Sequence, residues 1–321
     1  MSFQSDQEAL RVWFLQTKRS FPWREEITPY KVLISEVMLQ QTRADVVVDY
    51  FNRWMRLFPT VESLAGASID EVLKAFEGLG YYSRARNLHK AAQSLIKEFP
   101  NTYEGLLAVE GIGPYTANAI LSFAFHKPVI AMDANVQRVL SRYFATHDLK
   151  WAKIEAEKKM SQIHSHEIAE GLIELGAVIC TKSPACFNCP LQKGCKAFQQ
   201  NQIEQFPLLK KRKESVTVYK KVLLHHFQGR FGVCRQPKGG LFADLYMFME
   251  ESVEGRYPTE PPFKEVRASA TCYRFFLFPL VVENIEPIEG VEYLTLDECL
   301  KRSFTSGHRK ILHQMVKSSE F

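Results

Sequence analysis

Two carboxylates, a tyrosine and four cysteines are the residues of this sequence best placed to do chemistry. Glu36 lies in Ser35-Glu36-Val37-Met38-Leu39, and its helical neighbours three and four positions away are Val32, Leu33, Leu39 and Gln40. An ionised carboxylate on or beside an apolar face is costly, so burial raises its pKa, and a glutamate that keeps its proton near neutral pH can serve as a general acid. The plain alternative is a glutamate at the edge of the stripe that reaches solvent. Asp133 opens the helical run Asp133-Ala134-Asn135-Val136-Gln137-Arg138-Val139. It reads either as an ordinary N-cap or as a carboxylate facing whatever the preceding hairpin holds. That hairpin is Gly111-Ile112-Gly113-Pro114-Tyr115. Its glycines let the backbone approach another surface, and Pro114 is pre-set to start a helix whose free N–H groups suit a phosphate.

Cys180, Cys186, Cys189 and Cys195 are gathered in one short stretch. In an intracellular protein such a group reads as metal ligands rather than disulfides. Zinc sites usually use two close pairs, whereas here one close pair is flanked by singletons, an arrangement suited to a loop that gives four thiolates to a [4Fe-4S] cluster. Zinc is the alternative. Cys234, Cys272 and Cys299 are scattered and read as packing residues.

These groups need elements to hold them. Helical periodicity predicts helices over 4–18, from Pro29 to Leu39, and over 44–58, 69–76, 83–99, 117–125, 134–144, 151–164 and 167–180, with almost no strand-like alternation before residue 200. After Phe206-Pro207 and the run Lys210-Lys211-Arg212-Lys213 the texture changes. Strands are expected over 216–224, 231–234, 245–249, 275–282 and 293–296, with one helix over 308–316. The expected organisation is a helical domain over 1–205, a basic linker over 206–214 and a smaller α+β domain over 215–321.

Composition permits this. The chain has 321 residues, 46% of them hydrophobic, enough for two cores, and no apolar run approaches the roughly 20 residues needed to span a bilayer. Met1 to Gln16 lacks the cationic-then-apolar pattern of a signal peptide, so a cytoplasmic protein is expected, or a nuclear or organellar one in a eukaryote, acting as a monomer without membrane contact. The net charge is +5. Residues 214–321 hold equal numbers of basic and acidic side chains, so the whole excess lies before them. Nucleic-acid binding is thereby permitted through a local patch, and a solvated linker is the bland reading of the basic run. The loop Gly78-Leu79-Gly80-Tyr81-Tyr82-Ser83-Arg84-Ala85-Arg86 pairs two tyrosines with two arginines. That suits an aromatic wedge beside phosphate contacts, or an ordinary turn with Tyr81 in the core.

Taken together, Phe21-Pro22-Trp23-Arg24, Thr28-Pro29-Tyr30, Ser35 through Thr42, Gly78 through Arg86, Gly111-Ile112-Gly113, Asp133 through Val139 and the four cysteines resemble the MutY family of adenine DNA glycosylases, within the helix-hairpin-helix superfamily that includes endonuclease III. The resemblance runs over nearly all of residues 7–213. It implies an all-α helix-hairpin-helix glycosylase domain of two subdomains with the active site between them, a loop over 180–195 holding a structural [4Fe-4S] cluster, and a reduced Nudix (MutT)-like lesion-recognition domain. The implied partner is duplex DNA carrying adenine opposite 8-oxoguanine or guanine, and the implied activity is monofunctional adenine excision in base excision repair. Other readings are removal of a different mismatched base, such as thymine from T:G, or a non-catalytic iron-sulfur DNA-binding protein.

In the residues, the resemblance implies that Glu36 is the acid, Asp133 the carboxylate that stabilises the sugar cation, and Tyr115 a bridging hydroxyl where bifunctional relatives carry a lysine. It implies DNA contacts from Arg24 and Thr42, stack-filling by Gln41 and Tyr82, backbone contacts from Arg84, Arg86, Gly111 and Gly113, and added charge from Lys182, Lys193 and Lys196. The surroundings of the two carboxylates, apolar for Glu36 and a helix start for Asp133, are expected to push their pKa values in opposite directions. The sequence departs from the family in two places: the first cysteine interval is one residue short, and Ala270-Thr271-Cys272 stands where a Phe-Ser-His element is usual, leaving only the Thr271 hydroxyl.

Overall fold

The computed structural model describes residues 3–208 and 214–318; the basic run Lys210-Lys211-Arg212-Lys213 lies outside the described residues. The described chain divides into two compact units, and the division is not a single cut at the expected linker. Met1–Gly66 and Asn87–Lys211 form one unit, while Ala67–Arg86 joins Arg212–Phe321 in the other.

The first unit is helical. Helix α1 (Phe3–Thr17) packs on α11 (Ser165–Val178), which also packs on α9 (Ala134–Phe144). Leu10, Val136, Leu140, Leu172 and Leu175 fill the space between them. Local signals fix the ends of the elements that matter for chemistry. Thr28 caps α2 (Pro29–Leu39) by accepting from Lys31 N at 3.1 Å, and Pro29 stands at the first helical position, where its missing N–H costs nothing. Helix α3 (Ala44–Leu57) packs back on α2, and α4 (Val61–Gly66) follows. The helix expected over 117–125 instead begins earlier as α8 (Pro114–Ala119) and widens into a π-helical turn over Ile120–Ala124. The one expected over 151–164 is α10 (Leu149–Lys158), because the Asp148 side chain accepts from Trp151 N at 2.9 Å and moves the start upstream. The short α7 (Tyr103–Leu107), capped by Thr102, and α4 were not anticipated; neither is long enough to show a period.

In the second unit, α5 (Ile69–Ala75) starts at a capping box of Ser68 and Glu71. Helix α6 (Ser83–Leu95) then carries the chain back into the first unit. The C-terminal sheet is mixed, with strand order β3-β2-β1-β6-β5; β4 pairs with β1 and β7 with β2. These are β1 (Val216–Phe227), β2 (Arg230–Arg235), β3 (Tyr246–Met247), β4 (Met249–Ser252), β5 (Val266–Ala270), β6 (Tyr273–Glu283) and β7 (Glu292–Leu294). Strands β1 and β6 run parallel and the other pairs antiparallel. Val222, Leu224, Leu277, Phe304, Ile311 and Leu312 form the core under α13 (Leu296–Lys301) and α14 (Ser306–Lys317). Strand β5 escaped the sequence reading because Val266-Arg267-Ala268-Ser269-Ala270 offers small side chains in place of an apolar alternation.

Candidate active site

Helix α2 carries Glu36 into the interior, where it is 7% exposed, which excludes the solvent-reaching alternative. Tyr115, in the first turn of α8, donates its hydroxyl to Glu36 Oε2 at 2.5 Å. Burial pushes the Glu36 carboxyl up to about 7; the tyrosine bond and the Arg24 charge pull it down, and the negative charges of Asp133 and Glu170 add to the rise. Tyr115 itself is held well above its ordinary value by burial and by the two facing carboxylates, Glu36 and Asp133, so it stays a hydroxyl donor.

Asp133 is both things the sequence allowed. It caps α9 by accepting from Val136 N at 2.7 Å, and its Oδ2 accepts from Asn135 Nδ2 at 2.9 Å. The opposite pKa shifts expected of the two carboxylates do not occur: burial raises Asp133 as well, outweighing the hydrogen bonds that favour its ionised form. Glu36 and Asp133 differ instead in what they accept, one phenolic O–H against an N–H group and an amide.

Sequence reasoning passed over the residues behind these acids. Asn135 Oδ1 accepts from Arg138 Nη2 at 2.8 Å, and Arg138 donates onward to the Gly176 carbonyl at 2.7 Å and the Cys180 carbonyl at 2.6 Å. This chain links Asp133 to the start of the cysteine loop. Gly176 permits it, since a Cβ there would stand 2.6 Å from Asn135 Cβ. Glu170 on α11 is the second omission, and it explains Arg24. That guanidinium is not presented for DNA: it donates to Glu170 at 3.0 Å, Glu174 at 3.0 Å and the Arg19 carbonyl at 2.8 Å, and it lies over the Phe14 and Phe21 rings. Burial raises Glu170; burial also works on Glu174, but bonds and charges from Arg19 and Arg24 hold that carboxyl below its usual range. A charged pair whose partners are twelve or more dozen residues away in sequence leaves no local pattern to read.

The loop over 78–86 corrects three further expectations. Tyr82 is 8% exposed and donates to the Phe304 carbonyl at 3.4 Å, so it is not free to project as a wedge; Tyr81 beside it is 44% exposed at φ +47°. Arg84 is buried over the Phe76 ring and donates to the carbonyls of Leu79 at 2.9 Å and Gly80 at 3.2 Å, with burial drawing its pKa down to about 10. Arg86 donates to the Ala243 carbonyl at 2.8 Å. Gln41 is exposed at φ +60°, Thr42 is half-buried beside it, and Thr271 is exposed at φ +55° on the β5–β6 turn. In the hairpin, Gly111 at φ +97° is pressed against Asn87, where a Cβ would meet the carbonyl oxygen at 2.3 Å, whereas nothing stands within 4 Å of a Cβ at Gly113. The open glycine is the one at the start of α8.

Cys180, Cys186, Cys189 and Cys195 line one pocket together with Val139, Arg142, Leu175 and Leu191. Among the described residues no three His, Cys, Asp or Glu side chains converge closely enough to hold a single metal ion. Arg142 Nη1 lies 3.4 Å from Cys180 Sγ and donates to the Thr181 carbonyl at 2.6 Å, fixing the loop from inside. Burial pushes the Cys189 thiol up to about 12 and Cys195 to about 11, so thiolates here call for a compensating cation.

Residues 34–165 match the HhH-GPD superfamily of base excision DNA repair proteins. An adenine DNA glycosylase of Buchnera aphidicola subsp. Baizongia pistaciae is 37% identical over 211 residues, which are 62% of this chain and 60% of that one, so the chain spans less than two thirds of that relative's length. The adenine DNA glycosylase of Buchnera aphidicola subsp. Schizaphis graminum is 32% identical over 250 residues, 74% of this chain and 72% of its own. A thermostable thymine-DNA glycosylase of known structure shares the fold with a TM-score of 0.57 and 26% identity, over 62% of this chain and 97% of its own. With a buried glutamate and a helix-capping aspartate set about one tyrosine on such a scaffold, the chain belongs to the adenine DNA glycosylase family.

Proposed function

We propose that this chain is a monofunctional adenine DNA glycosylase that excises adenine paired with 8-oxoguanine, or with guanine, in duplex DNA. The observation that carries the reading is Glu36: a buried carboxyl whose pKa lies at about 7, bonded to Tyr115 and within electrostatic reach of Asp133. Adenine is a poor leaving group, so its glycosidic bond breaks once the ring is protonated, and Glu36 delivers that proton at N7. The sugar left behind is oxocarbenium-like, and the Asp133 carboxylate stabilises it. Glu36, now deprotonated, activates the water that completes hydrolysis. Tyr115 stands where bifunctional relatives carry a lysine, so no amine is available there for a Schiff base and strand cleavage is left to alkali or another enzyme.

The base must leave the stack to reach these groups. Gln41 in the first unit and Tyr81 in the second, each exposed on a left-handed residue, serve as stack-contacting residues, and the open N-terminus of α8 at Gly113 receives a backbone phosphate. The C-terminal unit, with Thr271 on its β5–β6 turn, reads the opposite base as a reduced Nudix-like domain. The four cysteines fit a [4Fe-4S] cluster: their side chains line one pocket, and Arg142 faces Cys180. Cys180 just after α11, Cys186, Cys189 and Cys195 just before α12 (Lys196–Gln199) would hold it in a structural role, leaving hydrolysis to the carboxylates. Purified aerobically, the protein is expected to be brown and to absorb at about 400 nm, a band that a zinc site lacks.

The test is single-turnover adenine release from duplexes with adenine opposite 8-oxoguanine and opposite guanine. Alkali-dependent breaks at the adenine, abolished in Glu36→Gln with DNA binding retained, are the expected result. Release of another base, or of none, would overturn the reading.

A further inference from the structure

The turn that carries Tyr81 is anchored on both flanks by the C-terminal helices. Before it, Glu77 accepts from Arg309 Nε and, at 2.7 Å, from Lys74 Nζ. Lys74 also donates to the Leu300 carbonyl at 2.8 Å, and Arg309 donates to the carbonyls of Leu300, at 3.2 Å, and Arg302. After it, Tyr82 donates to the Phe304 carbonyl and Arg86 to that of Ala243. Five consecutive carbonyl-bearing residues at the junction of α13 and α14, 300 to 304, thus supply three of the acceptors. The ion pair between Glu77 and Arg309 is shielded, with side chains 16% and 10% exposed, so salt screens it less than it would a surface pair.

We propose that Glu77, Lys74 and Arg309 form a latch by which the C-terminal unit positions Tyr81 for insertion into the DNA stack. The proposal rests on the reading of Tyr81 as the stack-filling residue. A tyrosine at φ +47° is uncommon and persists where its surroundings over-determine the backbone. Gly78 and Gly80, at φ +101° and +70°, precede it, and Arg84 braces the turn only from its far side through the Leu79 and Gly80 carbonyls, so the contacts from residues 300–309 add the hold on its near side. A wedge must also bear the reaction of the bases it parts, because unstacking a step is unfavourable. On a slack turn part of that work moves the turn and not the base. The latch therefore acts on base extrusion and leaves proton transfer at Glu36 alone, which makes its members positioning residues.

The experiment is a double-mutant cycle in the full-length protein. Single-turnover adenine release is measured for wild type, Glu77→Gln, Tyr81→Ala and the double variant. Two duplexes are used, one with adenine opposite 8-oxoguanine and one with adenine opposite an abasic residue, where no pair has to be opened. Glu77→Gln is expected to slow release from the paired duplex about tenfold, to leave the second duplex unchanged, and to have no further effect once Tyr81 is alanine. Equal losses on both duplexes, additivity with Tyr81→Ala, or an unchanged paired rate would each overturn the latch. Lys74→Met, which removes one anchor and leaves the ion pair with Arg309, gives the same three readouts should Glu77→Gln fail to fold. A wild type that releases adenine from neither duplex overturns the proposed function, and the latch with it, before any variant is made.

Discussion

The acid pocket and the exposed turns at Gln41, Tyr81 and Thr271 are built on opposite plans. Around the acids, Glu36 is buried and Tyr115 and Asp133 are half-buried, Tyr115 bonds Glu36 and Asp133 caps Val136, and loss of solvent raises the pKa of all three. At Gln41, Tyr81 and Thr271 the side chains are exposed on single left-handed residues, and the protein sets their position through the backbone. The difference teaches that proton chemistry here depends on dielectric and distance, whereas recognition depends on where a turn is held. Substitutions in the first region should change rates by orders of magnitude; those in the second should change selectivity and extrusion by small factors.

The sharpest break would come from Glu36→Gln, expected to reduce excision by about 10² to 10⁴, the span general acids usually contribute. In wild type, rate should fall as pH rises through about 7, because the protonated form is the reactant. Stability follows the same group. Its folded pKa of about 7 stands above the ordinary 4.5, so its favourable contribution is full below 4.5 and is lost as pH rises through 7. Thermal melts should therefore show Glu36→Gln gaining on wild type at pH 8 but not at pH 4, by an amount on the order of 3 kcal/mol at most. A variant that gains nothing at pH 8 would mean that the pocket admits water.

A middle-sized effect should separate the two neighbouring tyrosines. Tyr81→Ala is expected to cost about tenfold or more in duplex excision, the worth of one lost stack, while Tyr82→Phe, which gives up one long hydrogen bond, should stay within about twofold. The reverse order would put the wedge back on Tyr82. The smallest effect is expected at Thr271→Ala: about a fivefold fall in the preference for 8-oxoguanine over guanine opposite the adenine, the worth of roughly one hydrogen bond, with the guanine rate unchanged. An unaltered ratio would move recognition to other residues of the sheet.

The two plans also explain what could be read from the sequence. Glu36 and Asp133 were legible because a carboxylate inside an apolar helical pattern, or just before one, is conspicuous over a few residues. The cysteine loop and the hairpin glycines were legible for the same reason. Arg24, Tyr82 and Arg86 were misjudged because their partners, Glu170, Phe304 and Ala243, follow from tertiary structure, and Arg84 because an arginine near a tyrosine looks alike whether it meets a phosphate or the carbonyl of its own turn. The equal direction of the two carboxylate shifts was hidden too, since the depth of Asp133 is a property of packing. Helix ends were recoverable wherever a cap was present, as at Thr28 and Asp148, once the cap and not the apolar period was allowed to set the boundary.

The detour of residues 67–86 into the C-terminal unit has a consequence for synthesis. Asp70, Lys74, Glu77, Tyr82 and Arg86 leave the ribosome long before Arg235, Ala243, Leu300, Phe304 and Arg309, to which they bind. A chain that folds from its N-terminus as it emerges must therefore keep α5 and the start of α6 waiting while more than a hundred further residues are made. The second unit is thus completed by α13 and α14, made long after its first segment.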